Sequence, residues 1–128
     1  MEFILTGYKN FPYQEIKKLY EENEKYNISG SNLTIDELIK YNLFFAVLIN
    51  GEFRGCLYLH NFTDDSVYLS GFSKRKQPKA NIRAISELIK GIDKQCIFSK
   101  TTHLHAKICL LRAGFKQVNT DLFLYERN

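Results

Sequence analysis

The dipeptide Asn50-Gly51 is the strongest constraint on this chain, because it joins two runs of strand-forming residues, 43–49 and 52–62. An Asn-Gly pair favours positive φ at both central positions of a two-residue turn, and such a turn folds its flanks into a hairpin. Thr63-Asp64-Asp65 marks a second turn, and residues 66–72 resume the strand pattern. The middle of the chain therefore reads as a three-stranded meander, with everything else built around it.

Before the meander, residues 2–6 form a short apolar run closed by Gly7, and Asn10-Phe11-Pro12 follows as a turn. Residues 13–26 place Ile16, Leu19, Tyr20 and, less cleanly, Asn23 at helical spacing. Glu21, Glu22, Glu24 and Lys25 occupy the opposite face, which is then a solvated one. A loop over 27–33 leads to Thr34-Ile35-Asp36-Glu37, in which Glu37 stands three residues beyond a Thr N-cap, and a second helix runs to about Tyr41.

After the meander a basic loop over 73–79 precedes residues 81–89, where Ile82, Ile85, Leu88 and Ile89 mark one helical face. A short strand over 96–99, a helix over 105–113 ending at Gly114, and two strands over 115–118 and 122–125 complete the order β-α-α-β-β-β-α-β-α-β-β. The expected fold class is α/β (α+β) with a mixed, mostly antiparallel sheet, carried by a single domain over 1–128. That length, at 45% hydrophobic residues, suits one core and not two.

Ten Phe and eight Tyr without a Trp imply a core of Phe rings between Ile and Leu, and argue against disorder. The net charge of +4, from 18 basic and 14 acidic residues, is mild, but Lys74, Arg75, Lys76 and Lys79 fall in one short stretch. The positive field is local and suits an anionic ligand. Cys56, Cys96 and Cys109 show no metal-ligand spacing and lie in apolar runs, so buried free thiols are expected. An acidic second residue, no leader-like run and no segment of membrane-spanning length point to a cytoplasmic protein.

Two stretches carry a resemblance to a known family. The strand-loop-helix over 67–89 contains Arg75-Lys76-Gln77-Pro78-Lys79-Ala80, and residues 101–115 end in Arg112-Ala113-Gly114-Phe115. With the element order, they resemble the GNAT acyltransferases. In that family the loop has Gln or Arg, two residues, Gly, one residue, then Gly or Ala, and its backbone N–H groups receive the coenzyme A pyrophosphate at a helix start. Pro78 stands here where the first Gly belongs, and a proline lacks the donor and crowds the approach. Leu110 stands where many members have the Tyr that protonates the departing thiolate.

The resemblance implies an acetyl-CoA-dependent N-acyltransferase acting on an amine, small molecule or protein, by direct attack in a ternary complex. It implies cofactor contacts from Gly71 and Phe72, whose N–H groups would face the thioester oxygen, from Lys74, Arg75, Lys76, Lys79, Ala80 and Asn81, and from His103 on the pantetheine. For the chemistry, His60 is the candidate base and Tyr68 the candidate proton donor or water-mediated relay, each weighed against a plain strand-residue role. His103 and His105 have no third ligand for a metal, and Cys109 lies in an apolar helix face where thiols are inert. The alternative is a GNAT-like binding module without turnover, meeting nucleic acid or another acidic partner through residues 74–79.

Overall fold

A computed structural model describes residues 1–24 and 33–127. The elements follow the expected order: β1 Glu2–Leu5, α1 Tyr13–Glu24, α2 Ile35–Tyr41, β2 Leu43–Ile49, β3 Glu52–His60, β4 Ser66–Ser73, α3 Pro78–Lys90, β5 Cys96–Lys100, α4 Leu104–Arg112, β6 Lys116–Gln117 and β7 Leu122–Glu126. The seven strands form one sheet in the order β1-β2-β3-β4-β5-β7-β6. By contacts the chain gathers into two units, Met1–Tyr58 with Ser70–Arg75, and Leu59–Leu69 with Lys76–Asn128.

In the first unit β1 runs antiparallel to β2, from Glu2 opposite Leu48 to Leu5 opposite Phe45. Asn50 and Gly51 take φ of 53° and 77°, the paired positive values that a tight hairpin between β2 and β3 requires. α1 buries Ile16, Leu19, Tyr20 and Asn23, and the Asn23 amide is satisfied by donating to the Leu19 carbonyl at 2.8 Å. The remainder of the expected first helix, Lys25 and Tyr26, and most of the loop after it lie outside the described residues. At α2 the capping box forms as expected, with Glu37 N–H donating to Thr34 Oγ1 at 3.2 Å and Thr34 N–H to Glu37 Oε1 at 3.0 Å. The core is aromatic: Phe44 stacks on Tyr58 at 5.6 Å between centroids, and Phe72 meets Tyr20 edge-on at 5.4 Å.

In the second unit β4 and β5 are parallel over three pairs, Ser66 with Cys96, Val67 with Ile97 and Tyr68 with Phe98. Past that point the buried Ser99 hydroxyl donates to the Leu69 carbonyl at 2.8 Å. β7 pairs antiparallel with β5, from Cys96 opposite Glu126 to Lys100 opposite Leu122, and with β6 on its other side. Ile97, Phe123 and Val67 are fully buried there, joined by Ala84, Ile85 and Leu88 of α3 and by Cys109 and Leu110 of α4. The Arg127 guanidinium donates to the carbonyls of Ile89 and Ile92, and its Nε donates to Lys94, so the end of α3 is closed by a charged side chain.

Several boundaries differ from the sequence reading, each for a local reason. β3 stops at His60 rather than residue 62, because Asn61 turns the chain with φ 52°. α3 starts at Pro78, three residues earlier than expected. A proline at the first helical position has its φ preset and lacks only an N–H that would be unpaired there anyway. α4 covers Leu104–Arg112 and turns out through Gly114 at φ 104°. β6 shortens to Lys116–Gln117 because Phe115 is drawn into the core and its N–H donates to the Leu110 carbonyl.

Candidate functional site

The basic loop and the start of α3 were expected to hold an anion. Lys76 takes φ 56°, uncommon for a residue with a side chain, and Gln77 follows as N-cap at φ −133°, ψ 57°. Asn81 N–H donates to the Gln77 carbonyl at 3.1 Å, closing the first turn. Inside that turn the N–H groups of Lys79 and Ala80 have no intrahelical acceptor, as helix geometry dictates. The Gln77 side chain forms no bond to them. Pro78 therefore removes one donor from the helix start and leaves the N–H groups of Lys79 and Ala80 in place.

Lys76 and Lys79 are exposed beside this turn, and Asn81 is half-buried. The Asn81 amide accepts from Gln77 Nε2 at 3.0 Å and lies 2.9 Å from His105 Nε2. Lys74 and Arg75, also exposed, belong to the first unit. Lys74 N–H donates to the Arg54 carbonyl at 3.1 Å, and its ammonium stands over the Phe53 ring at 5.8 Å. His103 is the N-cap of α4, with its backbone N–H on Thr101 Oγ1 at 3.2 Å.

The two candidate chemical residues come together. His60 and Tyr68 have ring centroids 5.7 Å apart, and Tyr68 stacks on Phe98 at 5.3 Å, a half-buried aromatic row on neighbouring strands β3, β4 and β5. Burial pulls the His60 pKa below the ordinary histidine value, against the weaker opposing effect of the Asn61 side chain. The ring is thus held towards its neutral, proton-accepting form.

Gly71 and Phe72 lie in the first unit on the second half of β4. A Cβ on Gly71 would stand 2.5 Å from the Cys56 carbonyl oxygen, and one on Gly55 would stand 2.7 Å from the Phe72 carbonyl oxygen. The two glycines let β3 and β4 approach more closely than side chains allow. Phe72 itself is buried. Beside it Tyr58 shares a hydrogen bond with the Ser70 side chain, and burial pushes the Tyr58 phenol up to about 12.

Leu110 is buried, so no phenol stands at that helix position. Cys56 and Cys109 are buried and burial raises both thiols, whereas Cys96 is half-buried; all three are free. Among the described residues no group of three or more His, Cys, Asp or Glu could hold a metal, and no helix is long and apolar enough to cross a membrane.

Sequence reasoning passed over Tyr58, Phe98, Ser99 and the Gln77–Asn81–His105 contacts. Only Ser99 had left a signal: it shares strand parity with the fully buried Ile97, and a hydroxyl at a buried position needs a partner.

The strand order, with its parallel β4–β5 pair ending early and a helix starting directly after β4, defines the GNAT acetyltransferase fold. The aminoglycoside acetyltransferase AAC(6')-Ib, solved with coenzyme A, matches with TM-score 0.75 and 11% identity over 98% of this chain and 95% of its own. The N-acetyltransferase PseH of Campylobacter jejuni, solved with acetyl coenzyme A, matches with TM-score 0.68 and 13% identity over 99% and 100%. An acetyltransferase of Bacillus subtilis, solved with CoA, matches with TM-score 0.67 and 14% identity over 99% of each chain. No family model matches the sequence, and no curated protein is similar to it at a significant level.

Proposed function

We propose that the protein is an acyl-CoA-dependent N-acyltransferase that moves an acetyl group from acetyl-CoA to an amine by direct attack. The observation that carries this reading is the uncapped first turn of α3, placed directly after β4 in a GNAT fold and flanked by Lys76 and Lys79. Unpaired N–H groups, the positive end of the helix dipole and adjacent ammonium groups together suit a diphosphate. Coenzyme A or its acetyl form is bound in the solved neighbours named above.

On this reading Lys79 and Ala80 donate to the diphosphate, and Lys74, Arg75, Lys76 and Lys79 supply charge around it. Asn81 and His103 offer polar contacts to the rest of the coenzyme. The Gly71 and Phe72 N–H groups stabilise the thioester oxygen as it gains charge. The neutral amine nitrogen attacks the thioester carbon, the carbon–sulfur bond breaks, and the amine proton leaves through His60 directly or by way of Tyr68 and water. The thiolate takes a proton from solvent or from the Tyr68 hydroxyl, since Leu110 offers none. A cytoplasmic setting, where acetyl-CoA and three unpaired thiols coexist, belongs to the same reading.

Calorimetry with acetyl-CoA and thiol release across a panel of amines test it. Binding is expected, and Arg75→Ala with Lys76→Ala should weaken it roughly tenfold, about 1.4 kcal/mol. Absence of both binding and thiol release rejects the proposal.

A further inference from the structure

At an N-cap a Ser, Thr, Asp or Asn side chain turns back onto the first-turn N–H groups. Gln77 does not. Its amide nitrogen donates instead to Asn81 Oδ1 at 3.0 Å, one turn further along α3. With that oxygen engaged, Asn81 presents Nδ2 to His105 Nε2, 2.9 Å away on α4. An amide nitrogen has hydrogens and no accepting lone pair, so the imidazole accepts and carries its own hydrogen on Nδ1. Cys109 Sγ lies 3.6 Å from the same ring nitrogen, and burial raises the pKa of that thiol. All of these residues lie in the second unit.

We propose that His105 is a positioning residue for the diphosphate end of the co-substrate. By accepting from Asn81 it fixes the Asn81 amide, which holds the Gln77 side chain along the helix and away from the N–H groups of Lys79 and Ala80. Those donors then stay open to an external anion. Without the imidazole the Asn81 amide loses that restraint, and Gln77 Oε1 can swing onto the first turn as an internal cap that competes with phosphate. The inference rests on the acyl-CoA reading above for the identity of the anion, and on the hydrogen-bonded chain alone for the role of His105. His105 touches no reacting atom in this scheme and acts only through Asn81 and Gln77.

The test uses the whole protein and two probes, inorganic pyrophosphate and coenzyme A, with the Lys79 and Ala80 backbone amides followed by NMR. Because His105 is exposed, its replacement leaves the core intact. His105→Ala should weaken both probes roughly fivefold, the scale of a competing N-cap. It should raise KM for acetyl-CoA with kcat unchanged, and leave pantetheine, which has no diphosphate, unaffected. His105→Gln, whose Oε1 can take the Asn81 hydrogen, should restore affinity. Gln77→Ala in the His105→Ala background should restore it too, because the competing cap is then gone.

Equal pyrophosphate binding by wild type and His105→Ala overturns the proposal, as does a loss that neither His105→Gln nor Gln77→Ala repairs. Pyrophosphate that leaves the Lys79 and Ala80 amides of the wild type unmoved also overturns it. A wild type that binds pyrophosphate in a His105-dependent way but ignores coenzyme A supports the positioning role and removes the acyl-CoA reading.

Discussion

Gly71→Ala should be among the most damaging single-methyl changes available to this chain. The added Cβ would lie 2.5 Å from the Cys56 carbonyl oxygen and 2.8 Å from Leu57 Cδ2, where real Cβ contacts are essentially never below 3.0 Å. Leu57 is a side chain and can turn aside. The carbonyl belongs to the β3 backbone, so relief requires β3 and β4 to move apart. Overpacking costs about 1–3 kcal/mol, and a backbone obstacle places this case near about 3 kcal/mol. At ~2.1 cal/mol/K per residue, a chain of 128 residues unfolds with an entropy of about 0.27 kcal/mol/K, so Tm should fall by about 11 °C. Gly91→Ala is the matched control: Gly91 has φ −91° and ψ −4°, and its Cβ would meet only the Leu88 carbonyl oxygen at an ordinary 3.6 Å. Stiffening the unfolded chain there should add about 0.4–1 kcal/mol, or about 2–4 °C. Thermal unfolding by circular dichroism, with urea titration as the second measure, separates the two. A Gly71→Ala protein that melts within about 2 °C of wild type would refute the close-approach argument.

Ser99→Ala leaves the Leu69 carbonyl without its 2.8 Å donor in a buried place and should cost about 1–3 kcal/mol in urea unfolding; an unchanged midpoint would mean that the bond contributes nothing net. His60 gives two linked pH effects, because burial lowers its pKa in the folded state. The unfolded chain binds the proton at higher pH than the folded one. The contribution of His60 to stability is therefore present above about pH 6.5 and is lost as pH falls from there through the folded pKa. If His60 is the base, the acid limb of kcat/KM lies below about pH 6.5 and disappears in His60→Gln; a limb that stays in place in that variant assigns proton removal elsewhere.

Local chemistry made much of the fold readable. Asn50-Gly51 dictates its hairpin through two positive φ values, Thr34 and Glu37 satisfy each other's backbone N–H groups, and Gly114 supplies the left-handed residue after α4. Each of these signals acts over a few residues. The start of α3 escaped the helical periodicity because Pro78 sits in the basic run and reads as loop, while its ring at the first helical position starts a helix. The candidate site was legible only as a list of residues. Tyr68 meets Phe98 through the parallel β4–β5 register, and Asn81 meets His105 across 24 residues of chain. Pairings of that kind are set by how strands and helices assemble, which no local pattern encodes.

The unequal shielding of the three thiols has a practical side. Cys56 and Cys109 are each only 2% exposed, and burial raises both thiols, so a disulfide reagent added to the native protein finds them slowly. Cys96 on β5 is half-buried and open to slow attack. An assay that counts coenzyme A by its released sulfhydryl therefore starts above zero, by up to one equivalent per chain, and Cys96→Ser supplies a quieter protein in which each new thiol belongs to turnover.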